Sequence, residues 1–366
     1  MSTSAVAALQ TAAIGVLSSA QIAGLSTTLI PALTTAQVAA INTAAVGQLS
    51  VFQMNVLSTA DVLALGTAQT AALQTSQIAG LTTNLLDMFT TSQWGQLSTA
   101  DIQALTTLQL TNLTTTLAAQ ISSAQASVLS SRQIAFLSTG AVLQLSTSVL
   151  SGLNSAQIVG LSTALIPALT STQVANINTA SVSQLSSAQI NSLSTSDVLG
   201  MRTSQIAALQ SNQIASLTTN LLNAFNAAEL AQLGTSDMSA LTTLQLSNLT
   251  SVLASQLSTT QASALSSKQI SLLSTSAVAA LQTAATGVLS SAQIAGLTST
   301  LIPALTTAQV ASINTKALGQ ISVSQINSLS TSDVMGMGTA QVAALQTNQI
   351  AGLGTNLLNV LSTSQW

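Results

Sequence analysis

From Ala5 to its end the chain is one eight-residue phrase, repeated as 45 complete octads with no insertion or deletion. Cut every eight residues it reads AVAALQTA, AIGVLSSA, QIAGLSTT, LIPALTTA, QVAAINTA and onward to LLNVLSTS and a final QW. A fixed period of this kind implies stacked copies of one small unit, because each copy buries its apolar face only against its neighbours.

With Ala5 taken as position 1, position 5 is apolar in every octad, mostly Leu, with Ile41, Phe89, Met201 and Ile313 among the variants. Position 2 is Ile, Val, Leu, Met, Ala or Trp except at Thr70 and Thr286. These two rows supply a continuous core. Position 6 is mostly Ser, Thr, Asn or Gly, and position 1, three residues later, is Gln, Asp or Glu in 28 octads. That spacing is a capping box: the hydroxyl accepts from one free helix-start N–H and the Gln or acid from another. Six of the seven acids, Asp61, Asp101, Asp197, Asp237, Asp333 and Glu229, occupy position 1, where a helix N-terminus also favours negative charge. Leu at position 5 and Ile at position 2 complete a hydrophobic staple. Leu17-Ser18-Ser19-Ala20-Gln21-Ile22 is therefore a full helix-start signal, repeated every eight residues.

One long helix is excluded. Eight residues turn a helix about 800°, roughly 80° out of register, so the apolar seam would wander. Helix-start signals every eight residues have no place inside a continuous helix. Thirteen of the 18 glycines fall at positions 3 and 4, among them Gly15, Gly24, Gly80, Gly160 and Gly352, suiting the close of a short helix or a close backbone approach. Each octad reads as about one and a half helical turns with a redirection at Leu. Helices this short are unstable alone, so the expected fold is all-α, a solenoid of one short helix per octad. The alternative is a β-solenoid, favoured by the β-branched residues of position 7, including Val51 and Val323. Against it, Leu at position 5 and Ile at the next position 2 would point to opposite faces of a strand. Pro31, Pro167 and Pro303, all at position 3, suit neither arrangement.

A longer period overlies the octad. Pro31, Pro167 and Pro303 are 136 residues, or 17 octads, apart; so are Asp61, Asp197 and Asp333, and Arg132 maps onto Lys268. The chain is read as one continuous solenoid over 1–366, with super-repeats 5–140, 141–276 and an incomplete 277–366. Nothing requires 17 octads to make a whole number of solenoid turns.

Only 3% of residues are charged, with a formal net charge of −3, 47% are hydrophobic, and Cys, His and Tyr are absent. The high Leu, Ile and Val content argues against disorder. Ser and Thr pairs interrupt every octad, so no run of about 20 apolar residues exists to span a membrane. The N-terminus has no basic region followed by an apolar run and is no signal peptide. Met1 stands where the octad expects Leu and the chain stops mid-octad at Trp366, so both ends read as cut from a longer repeat. The absence of Cys fits an extracellular location.

Chemistry-bearing clusters are scarce. Metal sites need grouped His, Cys or carboxylates, and outside the neighbourhood of Asp87 and Asp101, and apart from Glu229 and Asp237 in adjacent octads, the acids lie 32 or more residues apart. Nucleophilic catalysis needs an activated hydroxyl beside a base, yet Lys268 and Lys316, the only lysines, sit in ordinary octads. No phosphate-binding loop occurs, and four cations in 366 residues argue against nucleic acid. The expectation is no enzyme, no catalytic, cofactor-binding or metal residue, and no cofactor. Trp94 and Trp366, equivalent at position 2, and Phe89 and Phe225, equivalent at position 5, read as core filling rather than a ligand platform. Phe52 at position 8 is expected to be exposed, as a possible lateral contact.

A weakly charged surface of Ser, Thr, Gln, Asn and Ala lacks the repulsion that keeps proteins apart and offers trypsin-like proteases few sites. The phrases LSTAxQIAGL and LTTAQVAxL resemble the Ser/Thr/Ala/Leu/Gln octad tracts of very large secreted or cell-surface proteins of bacteria. The resemblance implies an adhesin-like, stalk or filament role and carries over no site residue. The expectation is a structural, elongated extracellular or cell-surface protein acting through length and self-association. The alternative is a binding module whose Ser/Thr ladder recognises a repetitive surface such as ice or polysaccharide.

Overall fold

The computed structural model describes residues 2–365, so Met1 and Trp366, with the expectations placed on them, lie outside the described residues. The described chain is all-α: 42 α-helices of four to six residues and three short 3-10 helices, with no strand. The fold is the short-helix solenoid, and the β-solenoid alternative fails on the absence of strand among the described residues.

Each helix begins where the octad places it. Thr34 is extended (φ −74°, ψ 153°) and its hydroxyl accepts from the Gln37 N–H, while Gln37 Oε1 accepts from the Thr34 N–H at 2.7 Å. The helix Thr35–Ala40 follows and stops at Ile41 (φ −59°, ψ 130°). The position-5 residue and the next cap, here Ile41 and Asn42, form a two-residue extended corner. No described residue has positive φ, so the corners need no glycine conformation and Leu can occupy them.

The prolines find a place that local reading did not supply. Pro31, Pro167 and Pro303 each sit second in a 3-10 helix, Ile30–Ala32, Ile166–Ala168 and Ile302–Ala304. Proline supplies no N–H, so these octads open with a tight turn in which the Leu29 and Ile30 N–H groups both bond to Ser26 O.

The chain forms two compact units that divide between Leu185 and Ser186. In the N-terminal unit each helix packs on the helix three octads further on, so one turn is three octads and the helices stack in three columns. Thr35–Ala40 packs on Thr59–Ala64, Thr75–Gly80 on Thr99–Ala104, and Ser19–Ala23 on Thr43–Val46. The C-terminal unit follows the same rule, with Ser211–Ser216 on Thr235–Ala240 and Ser251–Ser255 on Thr275–Ala280. Positions 2 and 5 point inward in both, as with Ile78 and Leu81, or Ile214 and Leu217. Each buried aliphatic side chain contributes about 1.5–3 kcal/mol, which is what makes five-residue helices persist. Phe89, Phe225 and Trp94 fill core positions. Thr70 and Thr286 are buried too, and their hydroxyls donate to Gly66 O and Gln282 O one helical turn back.

The glycines mark close approach between turns. A Cβ on Gly47 would lie 2.6 Å from Ala72 O, and one on Gly160 would lie 2.5 Å from Ser131 O. Either contact would force neighbouring turns apart.

Candidate functional site

Two extended residues per octad leave backbone groups that neither a helix nor a sheet satisfies. The N–H of position 6 and the C=O of position 5 must find partners elsewhere. In many octads one glutamine serves both. Gln109 Oε1 accepts from the Thr106 N–H at 2.8 Å, closing its own capping box, and its Nε2 donates to Ile78 O at 2.8 Å and Leu81 O at 2.9 Å on the preceding turn. Gln37, Gln77, Gln157 and Gln245 repeat the arrangement, each reaching 28 and 31 residues back. The capping half was legible in the sequence and the cross-turn half was missed. Its signal was present: position 1 holds 22 glutamines and a single glutamate, although either residue closes a box. Only the amide has hydrogens to donate.

Several octads without that glutamine use asparagine. In three octads with a small position 1, an Asn cap takes over the carbonyl. Asn42 Nδ2 donates to Leu17 O at 2.7 Å beside Ala45, Asn178 to Leu153 O beside Ser181, and Asn314 to Leu289 O beside Ala317. In four of the octads with Leu at position 1, an Asn on the turn before reaches forward. Asn55 Oδ1 accepts from the Thr82 N–H ahead of Leu85, and Asn191, Asn223 and Asn327 do the same ahead of Leu221, Leu253 and Leu357. Asp87, the one acid away from position 1, belongs to this set: its carboxylate accepts from the Thr114 N–H ahead of Leu117. Burial pushes the Asp87 carboxyl above its ordinary range, and the Thr114 N–H opposes that shift.

The position-1 acids are structural. Asp61 Oδ2 takes the Ser58 N–H and hydroxyl, and its Oδ1 accepts from the Thr35 hydroxyl one turn back at 3.1 Å. Asp101 and Asp333 are held alike by Thr75 and Thr307. Glu229, buried, accepts from the Asn226 N–H, and burial raises its carboxyl as well. The structure brings no three His, Cys, Asp or Glu residues together among those described, and no described helix is long and apolar enough to cross a membrane. The Trp94 indole is fully buried, and its Nε1 has no hydrogen-bond partner. No protein-family model and no curated protein sequence matches this chain.

What faces outward is positions 8, 3 and 4, with the hydroxyls of positions 6 and 7. Phe52 is 78% exposed, as its place in the octad implies. The chemistry on offer is a surface, not a cleft: small polar side chains, scattered apolar ones and very few charges.

Proposed function

We propose that this is a structural repeat protein of the cell surface or exterior, working as a filament subunit, surface layer or adhesin stalk through self-association. The observation that carries this reading is a mismatch between two periods. A turn holds three octads and the super-repeat holds 17, so each copy begins two octads further round. Within the N-terminal unit the equivalent Pro31 and Pro167 octads accordingly stand in different columns. Ile30–Ala32 packs on Thr3–Ala7 of one column, and Ile166–Ala168 on Thr139–Gln144 of another. Within the N-terminal unit, duplication on this period moves a distinctive residue from one side to another. A protein selected for one flat ligand-binding side would lose that side with each copy, whereas one whose useful property is its repeat would not. The polar side chains fit the same reading, since the buried Gln and Asp groups are consumed by the fold.

Negative-stain electron microscopy of the full chain over a concentration series tests the proposal. Regular assemblies that grow with concentration are expected, and isolated particles at every concentration would overturn it. The ladder reading has one observation in its favour: Thr11, Thr35 and Thr59 stand exposed on successive turns of one column. Thermal-hysteresis and glycan-binding assays that both come back blank would remove it.

A further inference from the structure

The exposed apolar side chains of the N-terminal unit are not evenly spread. Of the seven large ones among its described residues, Val16, Leu63, Leu108, Phe136 and Val159 lie on a single column, while Phe52 and Leu143 stand on the other two. That column runs Thr11–Gly15, Thr35–Ala40, Thr59–Ala64, Thr83–Leu86, Thr107–Thr111, Ser131–Ala135, Ser155–Val159 and Thr179–Val182, each helix packed on the next. Its charged residues, apart from the buried Asp61, are Asp87 and Arg132. Arg132 is exposed, and its guanidinium lies 5.9 Å from the centre of the Phe136 ring.

These residues are arranged symmetrically about Leu108. Asp87 and Met88 lie one turn before the Thr107–Thr111 helix, and Arg132 and Phe136 one turn after it. Leu63 lies two turns before and Val159 two turns after. A two-fold axis crossing the column at Leu108 therefore sets Leu108 on Leu108, Met88 on Phe136 and Leu63 on Val159. In each of these pairs both partners hold the same octad position, 8, 4 and 3 respectively, so they match across the column as well as along it. The same operation brings Asp87, at position 3, onto the turn that carries Arg132, at position 8, so opposite charges share a turn twice. Parallel pairing would instead bring the Asp87 turn onto the Asp87 turn and the Arg132 turn onto the Arg132 turn, like charge with like. We propose that this column docks, antiparallel and about that axis, on the same column of a second copy of the chain.

The inference rests on the self-association proposed above and gives it a surface and a direction. An interface of this kind is isologous, the same patch serving on both sides. Its apolar centre supplies the attraction, and the charge pairs select the orientation. One period of 136 residues further on, the equivalent residues are less complementary: Leu63 and Leu108 become Leu199 and Leu244, but Asp87 becomes the uncharged Asn223 and Val159 becomes Ala295.

The chain contains no cysteine, so single-cysteine variants of the full chain map the contact directly. Under mild oxidation Leu108→Cys should link to itself as a disulfide dimer, Leu63→Cys should not, and a mixture of Leu63→Cys with Val159→Cys should yield the mixed dimer. Sedimentation of the unlinked chain gives the dimer affinity. Arg132→Glu should weaken it about tenfold, since two modest surface pairs become repulsive. In an Asp87→Asn background, where Thr114 keeps an acceptor, the same change should cost less than about twofold. Self-linking at Leu63 with none at Leu108, in a chain that still associates, overturns the antiparallel docking and leaves self-association standing. A chain that remains monomeric at every concentration overturns both.

Discussion

Two neighbouring steps of one column solve the same problem from opposite sides. At Thr106, Gln109 sits on the later turn, closes its own helix start and reaches back to Ile78 O and Leu81 O. At Thr82, where Leu85 replaces the glutamine, Asn55 sits on the earlier turn and reaches forward, accepting from the Thr82 N–H at 2.9 Å and donating to Gly80 O at 2.8 Å. At these two junctions one primary amide serves, and either turn can supply it. The two differ in depth. Gln109 is buried, while Asn55 is only half-buried, so water can replace part of what Asn55 does and almost none of what Gln109 does.

That difference orders the tests. Gln109→Glu keeps the acceptor for Thr106 but turns a buried charge toward two carbonyl oxygens. It should cost about 3 kcal/mol or more, read as lost hydrogen-exchange protection in the adjoining turns. A loss below about 1 kcal/mol would show that the cross-turn bonds matter little. Asn55→Ala should cost about 1 kcal/mol, the ordinary net value of a hydrogen-bonded group, localised at the Thr82 corner. Leu85→Gln in that background should return most of the loss, because it rebuilds a glutamine junction at the same step. Failure of the rescue in urea titrations would break the equivalence of the two devices.

The smallest effect concerns Asp87, the ionisable version of the Asn device. Burial raises its folded-state value above the ordinary 3.8, so folding favours the protonated form. Its ionisation therefore opposes folding: the penalty is absent below the unfolded value and develops as pH rises through the raised one. Asp87→Asn removes the penalty while keeping an acceptor for Thr114. The variant should melt slightly above the natural chain at pH 7, with the gap closing as the pH is lowered below 3.8. A gap that does not change with pH would assign the effect to geometry instead.

The octad was legible where its reasons are local. A cap hydroxyl, its glutamine and the flanking Leu–Ile staple all lie within six residues, so the helix starts at Ser18, Thr34 and Ser58 follow from short-range chemistry. Phe52 outward and Phe89 inward follow from position alone. The amide excess at position 1 was a visible trace of cross-turn bonding, as was the recurrence of Asn at position 3 ahead of a Leu at position 1. Neither names its partner without knowledge of the pitch. Pro31 resisted local reading because its octad tightens into a 3-10 turn, a choice made by the stack around it.

By itself the sequence determined that this chain forms short capped helices with two buried rows, since capping and staple contacts act over one helical turn and need no distant partner. Only the tertiary structure decided that three octads close a turn. That number depends on how successive corners add up and on which backbones can stack, a sum over 24 residues of small angles that no single octad records. From it follow the destination of every glutamine amide, the pairing of Asn55 with Thr82 and the division of the surface into three columns.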